Sequence, residues 1–219
     1  LKGEVVVIDQ FLSTWALELV YKFCLEATVY FEYKPGYLGA YISEGFMSDV
    51  LLQITDEMRE AMPNIVGDQP LQNLWSYKYS NDPVEQTAVS RSQSQDSGVR
   101  MHTDLARVNL NLWVTPDAAN MDMESGGLLI WDYAVSTIEE FLDFQEHTAE
   151  HKLEKQVFSA GVQAKRVPYR RNRVVLFDSN LVHKSMSIKF KPGYENRRIN
   201  LTWLFGFASF LQNSNTAPL

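Results

Sequence analysis

The spacing of apolar residues changes character about a third of the way along the chain. Val5 to Ile8 form a short β-branched run that predicts a strand. Ser13 or Thr14 then caps a helical pattern reaching about Phe31, and Lys34-Pro35-Gly36 ends it. Ser48 and Asp49 open a second helix, which Pro63 stops. Beyond this strand and two helices the pattern turns to β. LQNLWSYKY (71–79) predicts an aromatic-rich strand, followed by a long polar loop over 80–98. Further strands are expected at Arg107–Thr115, Gly127–Trp131, Arg173–Phe177 and Arg198–Phe207. Shorter ones are expected near Val99–His102, Ala164–Val167 and His183–Phe190. One helical insert, about Ser136–Lys155, interrupts them. Ile138, Phe141, Leu142, Ala149 and Leu153 give its apolar stripe, broken at Gln145, and its acidic residues fall on the wet side. No repeat is visible, and the last dozen residues predict a loose tail.

Composition narrows the class. With 219 residues, 45% of them hydrophobic and 21% charged, the chain is an ordinary globular protein and not a disordered or fibrous one. No apolar run is long enough to cross a membrane, and the start lacks the features of a signal peptide. Cys24 is the sole cysteine, so neither a disulfide framework nor a CxxC metal site is available. That fits a reducing compartment, and the expected location is cytoplasmic. The net charge of −7 argues against nucleic acid as a partner. The charge is uneven, however. Between Lys165 and Arg198 ten basic residues face two acidic ones, giving +8 and leaving −15 for the rest. This segment is either an ordinary solvated hairpin or a local field that attracts an anionic substrate.

His102-Thr103-Asp104 carries the main chemical signal. In a strand, positions i and i+2 share a face, so a His and an Asp so spaced can bite one ion from the same side. Only four histidines are present. His147 and His151 sit at i and i+4 in the charged insert, whereas His183 follows the apolar run VVLFDSN and is the natural third ligand. Two imidazoles and one carboxylate leave open positions that suit non-haem Fe(II) better than zinc. His-x-Asp alone is a weak motif, and its weight comes from the residues downstream. Gly126 and Gly127 open a strand where backbones approach closely. Fifteen residues after His183, Arg198 opens RINLTWLF. Alternation puts Arg198, Asn200, Thr202 and Leu204 on one face and Ile199, Leu201, Trp203 and Phe205 on the other. An inward guanidinium needs a partner, and its fork matches a carboxylate.

HTD (102–104), SGGLLIWD (125–132), VVLFDSNLVH (174–183) and RINLTWLF (198–205) together resemble the Fe(II)- and 2-oxoglutarate-dependent oxygenases. The likeness covers about residues 70–207. It is strongest to the prolyl-hydroxylase-like branch and to bacterial members with PYRRNRVVLFDSNLVH and PGYENRRIN-type segments. The R-x-N-x-T run is also similar to the DNA-dealkylation-repair branch. The resemblance implies a mainly β protein with an α/β N-terminal cap on a double-stranded β-helix, a cupin-like jelly roll. The chain reads as one domain: 1–69 packed on the barrel, 70–207 as the core with a helical insert at about 133–160, and 208–219 as a tail. The resemblance implies Fe(II) on His102, Asp104 and His183, with Arg198 on the distal carboxylate of 2-oxoglutarate and Thr202 and Asn200 on the same face. Tyr79 or Tyr77 matches the family's co-substrate tyrosine. Trp113 matches an aromatic beside the co-substrate, with Asn109 and Asn111 on its face. Tyr79 lies 23 residues ahead of His102, farther than in prolyl hydroxylases, and the His183-to-Arg198 gap is longer too.

The expected activity is therefore that of a dioxygenase using O₂ and 2-oxoglutarate to hydroxylate a small-molecule or peptidyl substrate. The alternatives are a cupin-type metal enzyme without 2-oxoglutarate and a non-catalytic jelly-roll binding module. The polar loop 80–98 and the insert 133–160 are expected to order over the substrate. Oligomeric state is left open.

Overall fold

The computed structural model describes residues 4–81, 98–145 and 150–212. Strand β1 (Val5–Ile8) comes first, then helix α1 (Thr14–Glu26), whose N-terminus is capped by the Ser13 hydroxyl accepting from the Ala16 amide at 3.2 Å. Helix α1 stops well short of Phe31. Thr28, Val29, Tyr30 and Phe31 are better strand than helix formers, and the chain goes on into a hairpin. That hairpin, β2 (Glu32–Lys34) and β3 (Tyr37–Tyr41), corrects the expectation of one strand and two helices in this region. Pro35-Gly36 is a hairpin turn rather than a helix stop, with Gly36 at φ 94°, a conformation that favours glycine. Helix α2 (Asp49–Ala61) begins after Ser48 and ends before Pro63, which opens a single π turn.

The remaining strands are β4 (Leu71–Tyr79), β5 (Val108–Trp113), β6 (Leu128–Ala134), β7 (Ala164–Val167), β8 (Val174–Asp178), β9 (Leu181–Ser185) and β10 (Ile199–Phe205). They form two antiparallel sheets, a large one in the order β1-β8-β5-β10-β4-β3-β2 and a small one in the order β7-β6-β9. The sheets face each other as a jelly roll, as expected. The N-terminal segment is not only a cap: β1 pairs with β8 at one edge of the large sheet, and β3 pairs with β4 at the other. The insert is two helices rather than one, α3 (Ile138–Gln145) and α4 (Glu150–Ser159). Their apolar side chains Phe141, Phe144, Leu153 and Val157 pack with Trp131 and Val182, on the side of the small sheet away from the sandwich interior. The tail starts with a short helix, Ser209–Gln212. No helix among the described residues is long and apolar enough to cross a membrane.

Strand β10 lies at the centre of the large sheet, and its alternation decides the chemistry of both faces. Ile199, Leu201, Trp203 and Phe205 are buried against α1 and α2 with Leu51, Ile54 and Met58. The Trp203 indole donates to the Thr55 hydroxyl at 3.0 Å, and that hydroxyl donates to the Leu51 carbonyl at 2.8 Å. Arg198, Asn200, Thr202 and Leu204 line a cavity on the opposite face, between the sheets.

Candidate metal and co-substrate site

His102 and Asp104 are not on a regular strand. His102 makes a single antiparallel bridge to His183, each backbone amide donating to the other residue's carbonyl, at 3.0 and 2.9 Å. The chain then bends, and the Asp104 amide donates to the Ser179 carbonyl at 3.0 Å. The three side chains still converge. Asp104 Oδ1 lies 3.7 Å from His102 Nε2, and its Oδ2 lies 3.4 Å from His183 Nε2. One ligand atom from each residue falls within 4.8 Å of the others.

Each imidazole is oriented by its other nitrogen. His102 Nδ1 is 2.7 Å from the Arg100 carbonyl, and His183 Nδ1 is 2.9 Å from the Leu181 carbonyl. A carbonyl only accepts, so both rings carry their proton on Nδ1 and present a bare Nε2 to the centre. Burial, together with the neighbouring His183, holds His102 down at about 4, so its ring is neutral at ordinary pH. For Asp104 burial works the other way. The neighbouring His183 and His102 rings, and the Asn109 amide that donates to it, outweigh burial and hold the carboxyl below its ordinary value. Two neutral nitrogens and one carboxylate on one side of a common centre could hold a metal ion facially.

A chain of amides leads away from Asp104. Asn109 Nδ2 donates to Asp104 Oδ2 at 2.6 Å, and Asn111 Nδ2 donates to Asn109 Oδ1 at 2.5 Å. Asn111 Oδ1 then accepts from Asn200 Nδ2 at 3.1 Å and from the Thr202 hydroxyl at 3.0 Å. The ionised carboxylate sets the polarity of the whole chain: it can only accept, so every amide turns its NH₂ toward Asp104. The far end, Asn200 Oδ1, is buried and has no partner.

Arg198 is 1% exposed. Its guanidinium carbon lies 4.7 Å from the Tyr79 ring centre, 5.6 Å from that of Trp113 and 5.9 Å from that of Tyr169. Nε donates to the Gly126 carbonyl at 2.5 Å, whereas Nη1 is buried without a partner. The glycine pair makes this approach possible. Gly126 has φ 77°, and a Cβ on Gly127 would collide with the Val167 carbonyl. Arg198 shares a cavity of about 440 Å³ with the triad.

No protein-family model matches the sequence, and no curated protein is detectably similar to it. Solved structures do match. SnoN, a non-haem α-ketoglutarate-dependent epimerase from nogalamycin biosynthesis, superposes with a TM-score of 0.60 at 12% identity, covering 100% of this chain and 89% of that one. A prolyl-4-hydroxylase from Pseudomonas putida matches with a TM-score of 0.53 at 14% identity, covering 94% and 93%. HygX from Streptomyces hygroscopicus, solved with nickel, 2-oxoglutarate and hygromycin B, matches with a TM-score of 0.54 at 12% identity, covering 94% and 82%. The chain has the fold of these oxygenases.

On this oxygenase fold the residues singled out from the sequence separate into groups. His102, Asp104 and His183 come together, and Arg198 faces the same cavity. The two tyrosines part company. Tyr79 lies on Arg198 with its hydroxyl 3.5 Å from the Ser185 hydroxyl, whereas Tyr77 is hydrogen-bonded to the Tyr41 hydroxyl at 2.9 Å, farther out. Trp113 flanks Arg198. Asn109, Asn200 and Thr202 join Asp104 through the amide chain. His147, most of loop 80–98 and the side chain of His151 lie outside the described residues. Tyr169 carries no signal in the sequence, since it sits in the basic stretch PYRRNR. Its hydroxyl donates to the Thr115 carbonyl at 2.5 Å and holds its ring on Arg198. Three arginines of the basic segment are committed to ion pairs: Arg170 and Arg173 bond Asp9, and Arg171 bonds Glu18.

Proposed function

We propose that the protein is a non-haem Fe(II) dioxygenase that couples oxidative decarboxylation of 2-oxoglutarate to hydroxylation of a small-molecule or peptidyl substrate. One observation carries this reading: a facial His-Asp-His set and a buried arginine with an unpaired donor open onto one cavity. A buried unpaired N–H costs on the order of 1–3 kcal/mol, so the site is built for an acceptor that is not part of the chain. A carboxylate fits the guanidinium fork. Neither a cupin-type enzyme without a diacid nor a plain binding module has use for both features.

Each residue has its role. His102 and His183 would hold the metal through Nε2, their rings fixed by the Arg100 and Leu181 carbonyls. Asp104 supplies the negative charge, and Asn109 restrains the oxygen nearer His183. Arg198, in its cage of Tyr79, Trp113 and Tyr169, would bind the distal carboxylate of 2-oxoglutarate and so set where the keto-acid end reaches. The aromatic rings keep water from the guanidinium and strengthen that contact. Iron bound in the triad would supply the one-electron and dioxygen chemistry that side chains lack. Anaerobic addition of Fe(II) with and without 2-oxoglutarate tests the reading. A visible charge-transfer band that needs both components is expected. Iron uptake with no response to 2-oxoglutarate would favour the cupin-type alternative.

A further inference from the structure

We infer that the substrate of this site is an uncharged ring compound that carries hydroxyl or amide N–H donors and stacks on the aromatic wall of β4. The inference rests on the dioxygenase assignment for the site's location, but its observations are separate. Trp75, Tyr77 and Tyr79 alternate along β4 and all line the cavity, so one strand face presents a row of rings. The row has two ends. Tyr79 covers Arg198 at the inner end. At the outer end Trp75 and Tyr77 lie 6.1 Å apart, and Tyr41 from β3 lies 6.3 Å from Trp75 and 6.1 Å from Tyr77. The register of β4 on β10 puts Tyr77 beside Asn200 and Trp75 beside Thr202. The triad is tied to the other flank, where Asp104 meets Asn109 of β5. A ligand resting on Trp75 and Tyr77 therefore lies across β10 from the metal position.

Charge narrows the class. Among the described residues lining the cavity, the only acidic or basic side chains, apart from the tyrosine phenols, are His102, Asp104, His183 and Arg198. All four are used by metal and co-substrate. The outer half offers rings, Leu105 and Leu204, and the neutral amides of Gln72 and Asn73. Among the described residues it holds no cation for a phosphate or carboxylate and no acid for an amine. The basic segment does not supply one: Arg198 apart, none of its lysines or arginines is among the described residues lining this cavity.

One polar atom then adds the donor requirement. Asn200 is 5% exposed and lines the cavity, and its Oδ1 has no partner. The Asp104 carboxylate fixes the amide chain so that Asn200 must present oxygen, not nitrogen. The 2-oxoglutarate dianion has only acceptors and cannot satisfy it. A ring hydroxyl or amide N–H can. Stacking faces with flanking amides are the chemistry that recognises glycosides and related polyhydroxylated rings.

Two probes that differ by one carboxylate test this: phenyl β-D-glucoside and phenyl β-D-glucuronide. Binding is measured on protein loaded with nickel and 2-oxoglutarate, and loading is verified separately by calorimetry. The glucoside should bind at least about tenfold more tightly than the glucuronide, and Trp75→Ala should weaken it by about tenfold or more. Tyr41→Ala, at a half-buried residue, should do the same to a smaller degree and guards against misfolding of the Trp75 variant. In wild-type protein, saturation transfer should reach the phenyl and sugar protons. Equal or tighter binding of the glucuronide, no saturable glucoside binding at millimolar concentration, or full glucoside affinity in both variants would each overturn the inference. Failed loading with nickel and 2-oxoglutarate while the glucoside still binds would instead sink the dioxygenase assignment alone.

Discussion

The two faces of the large sheet each bury a cation, and they treat it in opposite ways. Lys78 of β4 is 2% exposed on the face under α1. Its ammonium lies 3.8 Å from the Tyr30 ring centre and donates to the Tyr194 hydroxyl at 2.6 Å. Arg198, next to the start of β10, faces the cavity with Nη1 unpaired. Lys78 is sealed by partners within the chain. Arg198 is enclosed by rings but left with an unused donor. A buried charge is therefore a pointer to function only when its hydrogen-bonding capacity is left incomplete. The same split runs along β10, where the outer residues build the core and the inner ones build the site. Substitutions on the two faces should therefore fail in different ways: stability outside, ligand affinity inside.

The largest effect is expected at the triad. Alanine at His102, Asp104 or His183 should abolish nickel or iron uptake, read by calorimetry, with the melting temperature of the metal-free protein little changed. Alanine at His151 should leave uptake intact, and metal loss there would mean the site is misassigned. On the outer face, Trp203→Ala should cost about 3–5 kcal/mol in denaturant unfolding, because it empties a fully buried site and removes the donor to Thr55. Its folded fraction should still bind 2-oxoglutarate normally. A selective loss of co-substrate affinity would break the separation of the faces.

Arg198→Ala comes next. Losing a charge-assisted contact of about 1.5–3 kcal/mol should weaken 2-oxoglutarate binding by roughly 10- to 150-fold while sparing metal affinity. Arg198→Lys should recover part of it, since the charge survives and the fork does not. Titration of metal-loaded variants under nitrogen reads both. Equal affinity in Arg198→Ala and wild type would remove the central contact of the assignment.

The smallest effect sharpens the comparison through pH. Burial, with Arg197 nearby, pulls Lys78 down from 10.5 to about 8, although Cys24 partly opposes this. Between these values the unfolded chain binds more protons than the folded one, so stability should rise with pH across that window. Below pH 8 both states are protonated and the cost of burying the charge is felt in full. Lys78→Met should flatten this slope, which is on the order of 1–2 kcal/mol after allowance for screening. Unfolding free energies of both proteins at about pH 7.5 and 10 give the measurement. A slope that persists unchanged in Lys78→Met would assign it to another group.

His183 and Arg198 are legible in the sequence because they lie on or beside short, strongly apolar strands whose alternation is hard to misread, and His102 and Asp104 because of their i, i+2 spacing. For that pair the reason for convergence differs from the one the spacing suggests. His102 and Asp104 come together through a single bridge and a bend, not through a shared strand face. The hairpin at 32–41 is hidden because Pro-Gly ends a helix as readily as it turns a hairpin. The amide chain and the Tyr169 contact are invisible for a different reason. They depend on which residues become neighbours across strands, and local pattern does not encode that. Trp75 could have been found: WSYKY alternates large rings with small or polar residues, which marks one ring-bearing face.

The backbone bridge between His102 and His183 also bears on the order of events after synthesis. These residues are 81 positions apart, and β1 pairs with β8 across 172 positions, Val5 opposite Phe177. Contacts of such separation are slow to form and are absent from local folding intermediates. The candidate metal ligands therefore meet only when the sandwich closes, and an ion bound there could not serve as a nucleus for folding. Refolding rates should be the same with and without nickel, and metal should act only by retarding unfolding. On the proposed assignment such a protein matures in two steps, with the scaffold completed first and the ion loaded into a finished seat.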